Sequence, residues 1–224
     1  MIELSDIQLS YGKNVVIPQM TFTWQTGKIH GIAGLNGAGK TTLFHALSGM
    51  KKPLTGHMRL GHEPLHKSMV FLLETSTYFY PNITGREYLS LFVTTRENYD
   101  EVPLLELFQI PLDELIENYS TGMKKKLAIL AMLRKNKNIY LLDEPFNGLD
   151  LESNHILEVM LKVLKERGST LFIASHILDP LLRICDEIHL LEKGVFTRHF
   201  DKAQFEEVSP ALFGNLAEKA RTVI

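Results

Sequence analysis

The residues best suited to chemistry are Gly34-Leu35-Asn36-Gly37-Ala38-Gly39-Lys40-Thr41, followed by Thr42. A glycine, four variable residues and then Gly-Lys-Thr is the spacing of a phosphate-binding loop. Four fixed positions coincide by accident on the order of once per hundred chains of this size. Glycines let backbone N–H groups curl around an anion, and the N-terminus of the next helix adds its positive dipole end. Lys40 is expected to reach the β- and γ-phosphates of a nucleotide, with the Thr41 hydroxyl on Mg²⁺.

Other residues fit the same chemistry. The apolar run Ile139-Tyr140-Leu141-Leu142 ends in Asp143-Glu144, and strand ends are where a parallel sheet presents Mg²⁺-handling carboxylates. Asp143 is expected to hold the metal through water, and Glu144 to orient or deprotonate the attacking water. Alone they would read as two solvated acids; beside a phosphate loop they read as a site. His176 follows the run Thr170–Ala174, at the same sheet edge, where it could bond the γ-phosphate or polarise the water. Taken singly, a strand-end histidine is more often structural.

Ser120 is a natural N-cap, and Gly122 lets a ligand approach the helix expected over Leu127–Arg134. Lys124, Lys125 and Lys126 oppose the dipole of that helix unless an anion or acidic partner lies nearby. Tyr11 could stack on a purine, although alone it is a turn-flanking packing residue.

These residues need a scaffold. Lys28–Ala33 reads as a short buried strand entering the loop, and Thr42–Leu47 as a helix leaving it. Residues 2–26 alternate with period two, as in a half-exposed antiparallel sheet. Thr55–Gly61 reads as a hairpin strand and Met69–Leu73 as a buried strand ending at Glu74. Ile83–Glu117 has helical spacing broken by Pro103 and Pro111, so two or three helices are expected. The long separation of Asp143 from Lys40 requires an inserted subdomain. Leu151–Arg167 reads as a helix with Ile156, Val159, Met160, Val163 and Leu164 inward and Gly168 as its stop. Asp186–Leu191 is followed by a Lys193-Gly194 turn, and the last thirty residues read as helical.

Composition narrows the classes. The chain has 224 residues, enough for one large α/β domain or a domain with an insert. A formal net charge of −2 argues against an obligatory nucleic-acid partner, since such domains carry a basic surplus. Cys185 is the single cysteine, which excludes an internal disulfide and points to a reducing compartment. The N-terminus lacks a signal-peptide layout, and the longest apolar run, Leu127–Leu133, falls far short of the roughly 20 residues that span a bilayer. Any membrane role is expected to come through a partner.

In chain order, Tyr11, the phosphate loop, the Ser-x-Gly helix start, Ile139–Glu144, Asn147-Gly148-Leu149-Asp150 and Ser175-His176 resemble the ATP-binding subunit of an ABC transporter. The resemblance runs from residue 1 to about 196. It implies an α/β fold: a P-loop NTPase core with a mostly parallel sheet, an N-terminal antiparallel β-subdomain, and a helical subdomain inserted at about 76–136. All would lie in one ATP-binding domain over 1–224. ATP and Mg²⁺ are the implied cofactors, with Tyr11 on adenine, Asp150 in the D-loop and His176 as the switch histidine. Ser120 and Gly122 would contact the γ-phosphate held by a second ATP-binding subunit, in a homo- or heterodimer. A separate transmembrane permease subunit is the other implied partner, which would place the chain in the cytoplasm at the inner face of the cell membrane.

Two departures stand out. The signature usually reads Leu-Ser-Gly-Gly-Gln, and here Tyr119, Thr121 and Met123 replace three of its residues, resembling single-domain exporter ATPases. The Q-loop glutamine is absent after Leu72-Leu73. Glu74 is the expected replacement, because a carboxylate can still ligate Mg²⁺, with Thr75 as the alternative. Two other classes remain: a soluble ABC-type ATPase acting on ribosomes or DNA, and a small-molecule kinase. The first generally carries two ATP domains or coiled-coil inserts, and the second needs no Ser-x-Gly signature.

Overall fold

The computed structural model describes residues 1–92, 100 and 102–214. Alternation at the start of the chain becomes a long hairpin, β1 (Ile2–Tyr11) antiparallel to β2 (Asn14–Trp24). Ile2, Leu4, Ile7 and Leu9 are all buried although Leu4 and Ile7 are out of phase. A register shift between them, with Asp6 at φ 51°, turns Ile7 back to the core as a bulge does. After β3 (Ile29–Ala33) and α1 (Lys40–Leu47), β4 (Thr55–Leu60) returns to β1, and the short β5 (Glu63–Pro64) completes a sheet of order β2-β1-β4-β5.

The second sheet collects the apolar runs. β6 (Val70–Leu73) precedes α2 (Gly85–Ser90), α3 (Val102–Phe108) and α4 (Thr121–Leu133). Then come β7 (Ile139–Asp143), α5 (Leu151–Glu166), β8 (Thr170–Ser175), α6 (Leu178–Ile184), β9 (Glu187–Glu192) and β10 (Val195–Asp201). The strand order is β10-β9-β3-β8-β7-β6, with only β10 antiparallel to its neighbour. β3, β7 and β8 are buried along their whole length, as strands covered on both faces must be. One face packs on α4, α5 and α6, and the other on α1 and the β1–β2 hairpin. Register aligns Ala33 with Ser175 and Asp143 with Ala174. The phosphate loop, Asp143-Glu144 and His176 therefore leave the sheet along one edge.

Several expectations change. α4 starts at Thr121, six residues earlier than expected, because Ser120 caps it by accepting from the Met123 N–H. Residues 127–133 are buried all round and join the main core, so α4 is no detached appendage. In α5 the inward face is Leu157, Met160, Leu161 and Leu164, while Val159 and Val163 are 48% and 36% exposed. The apolar stripe was read one residue off, since adjacent apolar residues fit two overlapping faces and only the sheet chooses between them. The last thirty residues begin with strand, not helix: β10 pairs with β9 across the Lys193-Gly194 turn, where both residues have positive φ. A 3₁₀ segment (Lys202–Glu207) and a helix over 208–214 follow. Residues 215–224, and 93–99 with 101 in the expected insert, lie outside the described residues. No helix among the described residues is long and apolar enough to cross a membrane.

Candidate nucleotide site

Between β3 and α1 the chain turns through Gly37 (φ 81°) and Gly39 (φ 108°), a conformation that side chains with a Cβ rarely adopt. The loop forms the floor of a cavity of about 510 Å³, well inside the range of ligand sites. Asn36 to Thr42 line it together with Asn14, Val16, Thr75, Asp143, Glu144, Asn147 and His176. Gly34 lies just beneath, and its carbonyl accepts from Lys40 Nζ at 2.7 Å, with Leu35 O at 3.3 Å. Burial lowers the Lys40 pKa, opposed by the nearby carboxylates of Glu144 and Asp143.

Two short contacts organise the far wall. Thr41 Oγ1 donates to Asp143 Oδ2 at 2.7 Å, joining α1 to the end of β7. Glu144 Oε1 lies 2.7 Å from His176 Nδ1 and accepts from the His176 backbone N–H at 3.1 Å, while Oε2 accepts from Ser175 Oγ. Glu144 holds φ 48°, a costly backbone state for a non-glycine residue that neighbouring bonds must enforce. Its own N–H donates to Ala174 O at 2.9 Å. Lys40 Nζ stands 3.9 Å from Glu144 Oε1, so cation, carboxylate and imidazole converge on one space.

The remaining sequence-predicted residues lie apart from this lining. Tyr11 is 50% exposed, its ring covered by Lys51 Nζ at 3.9 Å and its hydroxyl 3.4 Å from His45 Nδ1. Glu74 pairs instead with His45 Nε2 at 3.1 Å, and Thr75 is the residue that reaches the cavity, donating to Asp143 O at 3.3 Å. The imidazole of His45 thus links Tyr11 to Glu74.

Ser120 is exposed at the N-terminus of α4, and Gly122 lies against the Asn147–Asp150 turn so closely that a Cβ would meet Gly148 O at 2.9 Å. Asp150 caps α5 by accepting from the Ser153 N–H and pairs with Lys126 at 3.2 Å. These bonds hold its carboxyl down at about 2. Tyr119 in the usual leucine position is buried, and its hydroxyl finds the Pro111 carbonyl at 2.6 Å.

Lys125 was missed as a site residue. It is buried, its Nζ faces Glu74 O at 3.5 Å, and burial pushes its ammonium down to about 8 despite the field of Asp143 and Glu144. Helical spacing from the buried Ile129 and Met132 was the signal available. Two of the three lysines that oppose the α4 dipole thus have acidic neighbours: Asp150 for Lys126, and Asp143 with Glu144 for Lys125.

Comparison with known proteins agrees with this geometry. Residues 17–147 match the ABC transporter family. Over 207 residues the chain is 30% identical to the bacitracin transport ATP-binding protein BcrA of Enterococcus faecalis, covering 87% of this chain and 67% of that protein. It is also 30% identical to the Nod factor export ATP-binding protein I of Burkholderia lata, over 86% of this chain and 68% of that one. Among solved structures, an ATP-binding subunit of an ABC transporter superposes with TM-score 0.81 at 25% identity, covering 96% of this chain and 93% of that one. A dimeric ATP-binding cassette in a post-hydrolysis state superposes at 0.78 with 19% identity, a likeness of fold that covers 90% and 99%. The chain belongs to the ABC transporter family, as an ATP-binding subunit with ATPase activity.

Proposed function

We propose that this subunit hydrolyses Mg²⁺·ATP at a site completed by a second ATP-binding subunit, and that it drives export through a separate transmembrane permease. The observation that carries the reading is the convergence of two bonded pairs, Thr41–Asp143 and Glu144–His176, on one lysine-bearing cavity. Thr41 Oγ1 and Asp143 Oδ2 are hard oxygen donors side by side, a set that suits Mg²⁺. The ion, when bound, offsets the charge that builds on the phosphates. The loop N–H groups of Asn36 to Thr42 orient the phosphate chain, and Lys40 turns its ammonium from the loop carbonyls to the anion. Glu144 receives a proton from the attacking water, and His176 holds that carboxylate in place from its other side.

Ser120, Gly122 and Asp150 fit a different role. They stand on an exposed surface and suit the second subunit's nucleotide. Tyr11 is half exposed, and its ring is free to serve adenine once Lys51 leaves it. Glu74, bonded to His45, fits a junction between the nucleotide-binding core and the segment that follows it better than a metal ligand. One ATP-binding domain with a helical insert near 76–136 suits this division, as does a position at the inner face of the cell membrane. The name of one group of relatives, Nod factor export, supports the export direction.

The test is reconstitution. The chain is expected to co-purify with a multi-span membrane protein and to support ATP-dependent export from vesicles. Lys40→Ala should weaken ATP binding roughly tenfold to a hundredfold, as expected for the loss of a charge-assisted contact. Equal nucleotide affinity by calorimetry, or co-purification with ribosomes or nucleic acid instead of a membrane protein, overturns the reading.

A further inference from the structure

At the opposite end of the sheet lies a second group of ligand-type side chains. His30 pairs in register with Glu187, His189 follows two residues along the same strand, and His199 and Asp201 sit opposite His189 and Glu187 on β10. All five therefore share one face of three neighbouring strands. His30 precedes the phosphate loop by four strand residues, so His30 and Glu187 are about 13 Å from it along the strand, and His189, level with Ile32, about half that. His30 and His189 are buried at 0% and 2% exposure, against the rings of Phe172 and Phe22.

The distances are unusual for a hydrogen-bonded cluster. Glu187 Oε2 lies 3.5 Å from His30 Nδ1 and 3.7 Å from His189 Nε2, both too long for hydrogen bonds. The two nitrogens are 3.4 Å apart, at the long limit of one. His30 Nε2 stands 2.8 Å from the Gln25 carbonyl, which can only accept. The His30 proton is therefore on Nε2, and Nδ1 presents a bare lone pair to the carboxylate. That lone pair and Glu187 Oε2 face each other across 3.5 Å, and His189 Nε2 stands 3.4 Å from the same nitrogen. Lys28 occupies the other oxygen, Glu187 Oε1, and leaves Oε2 directed at the histidines.

The three atoms form a nearly equilateral triangle. A tetrahedral ion with bonds of about 2.0–2.2 Å holds its ligand atoms about 3.3–3.6 Å apart, which these sides match closely. We propose that His30 Nδ1, His189 Nε2 and Glu187 Oε2 bind a divalent first-row transition ion of the Zn²⁺ class, clamping β3 to β9 at the sheet end remote from the nucleotide. Two imidazoles and one carboxylate favour Zn²⁺ over Mg²⁺ or Ca²⁺. The Gln25 carbonyl supplies the outer bond that fixes a ligating histidine. His199 is exposed, stacks on His189 at 4.9 Å and brings Nε2 to 3.6 Å from the same Oε2, so it would be the neighbouring side chain able to join the set.

Calorimetric titration of the 224-residue chain with Zn²⁺ tests the site. One ion per chain is expected at this site, with affinity falling about tenfold or more in His30→Gln and in Glu187→Gln, and unchanged in Asp143→Asn. Saturating Zn²⁺ should also raise the melting temperature of the wild type, because a ligand of the native state alone stabilises it. Equal Zn²⁺ affinity in wild type and Glu187→Gln overturns the proposal. Should the variants fail to fold, anomalous diffraction from Zn²⁺-soaked wild-type crystals decides. An ion bonded to the three named atoms supports the site, and ions found only at Asp143 or at other histidines refute it.

Discussion

Glu144 and Ser120 both belong to motifs near the same sheet edge, yet their surroundings differ. Glu144 is buried, and the hydrogen bonds of its carboxylate come from Ser175 and His176 at the end of β8, with Lys40 of α1 at 3.9 Å. Ser120 is exposed, and its hydroxyl caps α4 while the first turn of that helix faces outward. One region is finished within a single chain. The other offers a helix N-terminus and a hydroxyl to something outside it, while its glycine packs on the chain's own Gly148. Charge sharpens the contrast, because Lys40 stands beside the finished region whereas Lys126 and Asp150 neutralise each other beside the open one.

The largest effect is expected in the finished region. Glu144→Gln should lower ATP turnover by about 10²- to 10⁴-fold, the usual worth of a general base, while ATP still binds. Phosphate release and equilibrium binding measured on one preparation check it; wild-type turnover removes Glu144 from the chemistry. Ser120→Arg comes next and tests the open region. It should leave ATP binding by the isolated chain intact and reduce turnover by about tenfold or more, as placing a bulky cation where a phosphate must approach would do. Unchanged turnover per subunit would mean that the single chain's cavity is complete and the comparison false.

The smaller effects concern stability. Lys125→Met removes a buried ammonium and should stabilise the nucleotide-free chain by on the order of 1–3 kcal/mol near pH 7. Its folded pKa of about 8 lies below the unfolded value of roughly 10.4. The cost is therefore full below pH 8 and relieved as pH rises between the two values, so the gain should shrink over that range. Asp150→Ala should lower the melting temperature only slightly. The folded pKa of about 2 lies below an unfolded value of roughly 3.9. The Asp150 contribution is thus present at neutral pH and lost as pH falls through 4 toward 2, and the difference from wild type should narrow there. Thermal melts of both variants across pH provide the measurement.

What was legible in the sequence follows the range of the interactions. The phosphate loop is local: eight consecutive residues carry its backbone shape, so spacing alone reveals it. Asp143, Glu144 and His176 were legible as strand ends. That Glu144 bonds His176 depends on β7 lying beside β8, which no window of sequence contains. The burial of Lys125 escaped because a run of three lysines looks like a solvated face, although its helical phase with Ile129 pointed inward. Val159 and Val163 were misassigned because apolar residues in α5 outnumber the positions that the sheet can cover. Glu74 and Tyr11 fitted their expected motifs in order, but His45, on a helix between them in sequence, draws both to itself. The histidine cluster left only a period-two trace, Glu187, His189, His199 and Asp201, whose third ligand lies in a strand at the other end of the chain.

The link through His45 has a direction. A neutral imidazole carries one proton, and the carboxylate of Glu74 can only accept, so that proton belongs on Nε2. Nδ1 is then an acceptor, and the Tyr11 hydroxyl must be the donor. The chain Tyr11→His45→Glu74 therefore conducts hydrogen-bond polarity one way, from the end of β1 toward the start of the segment that follows β6. Each bond strengthens the next by polarising it. A phenol turned away to meet a purine would leave His45 a poorer donor and loosen Glu74 without touching it. The arrangement would make the Tyr11 ring on β1 and the Glu74 carboxylate after β6 report on a single proton.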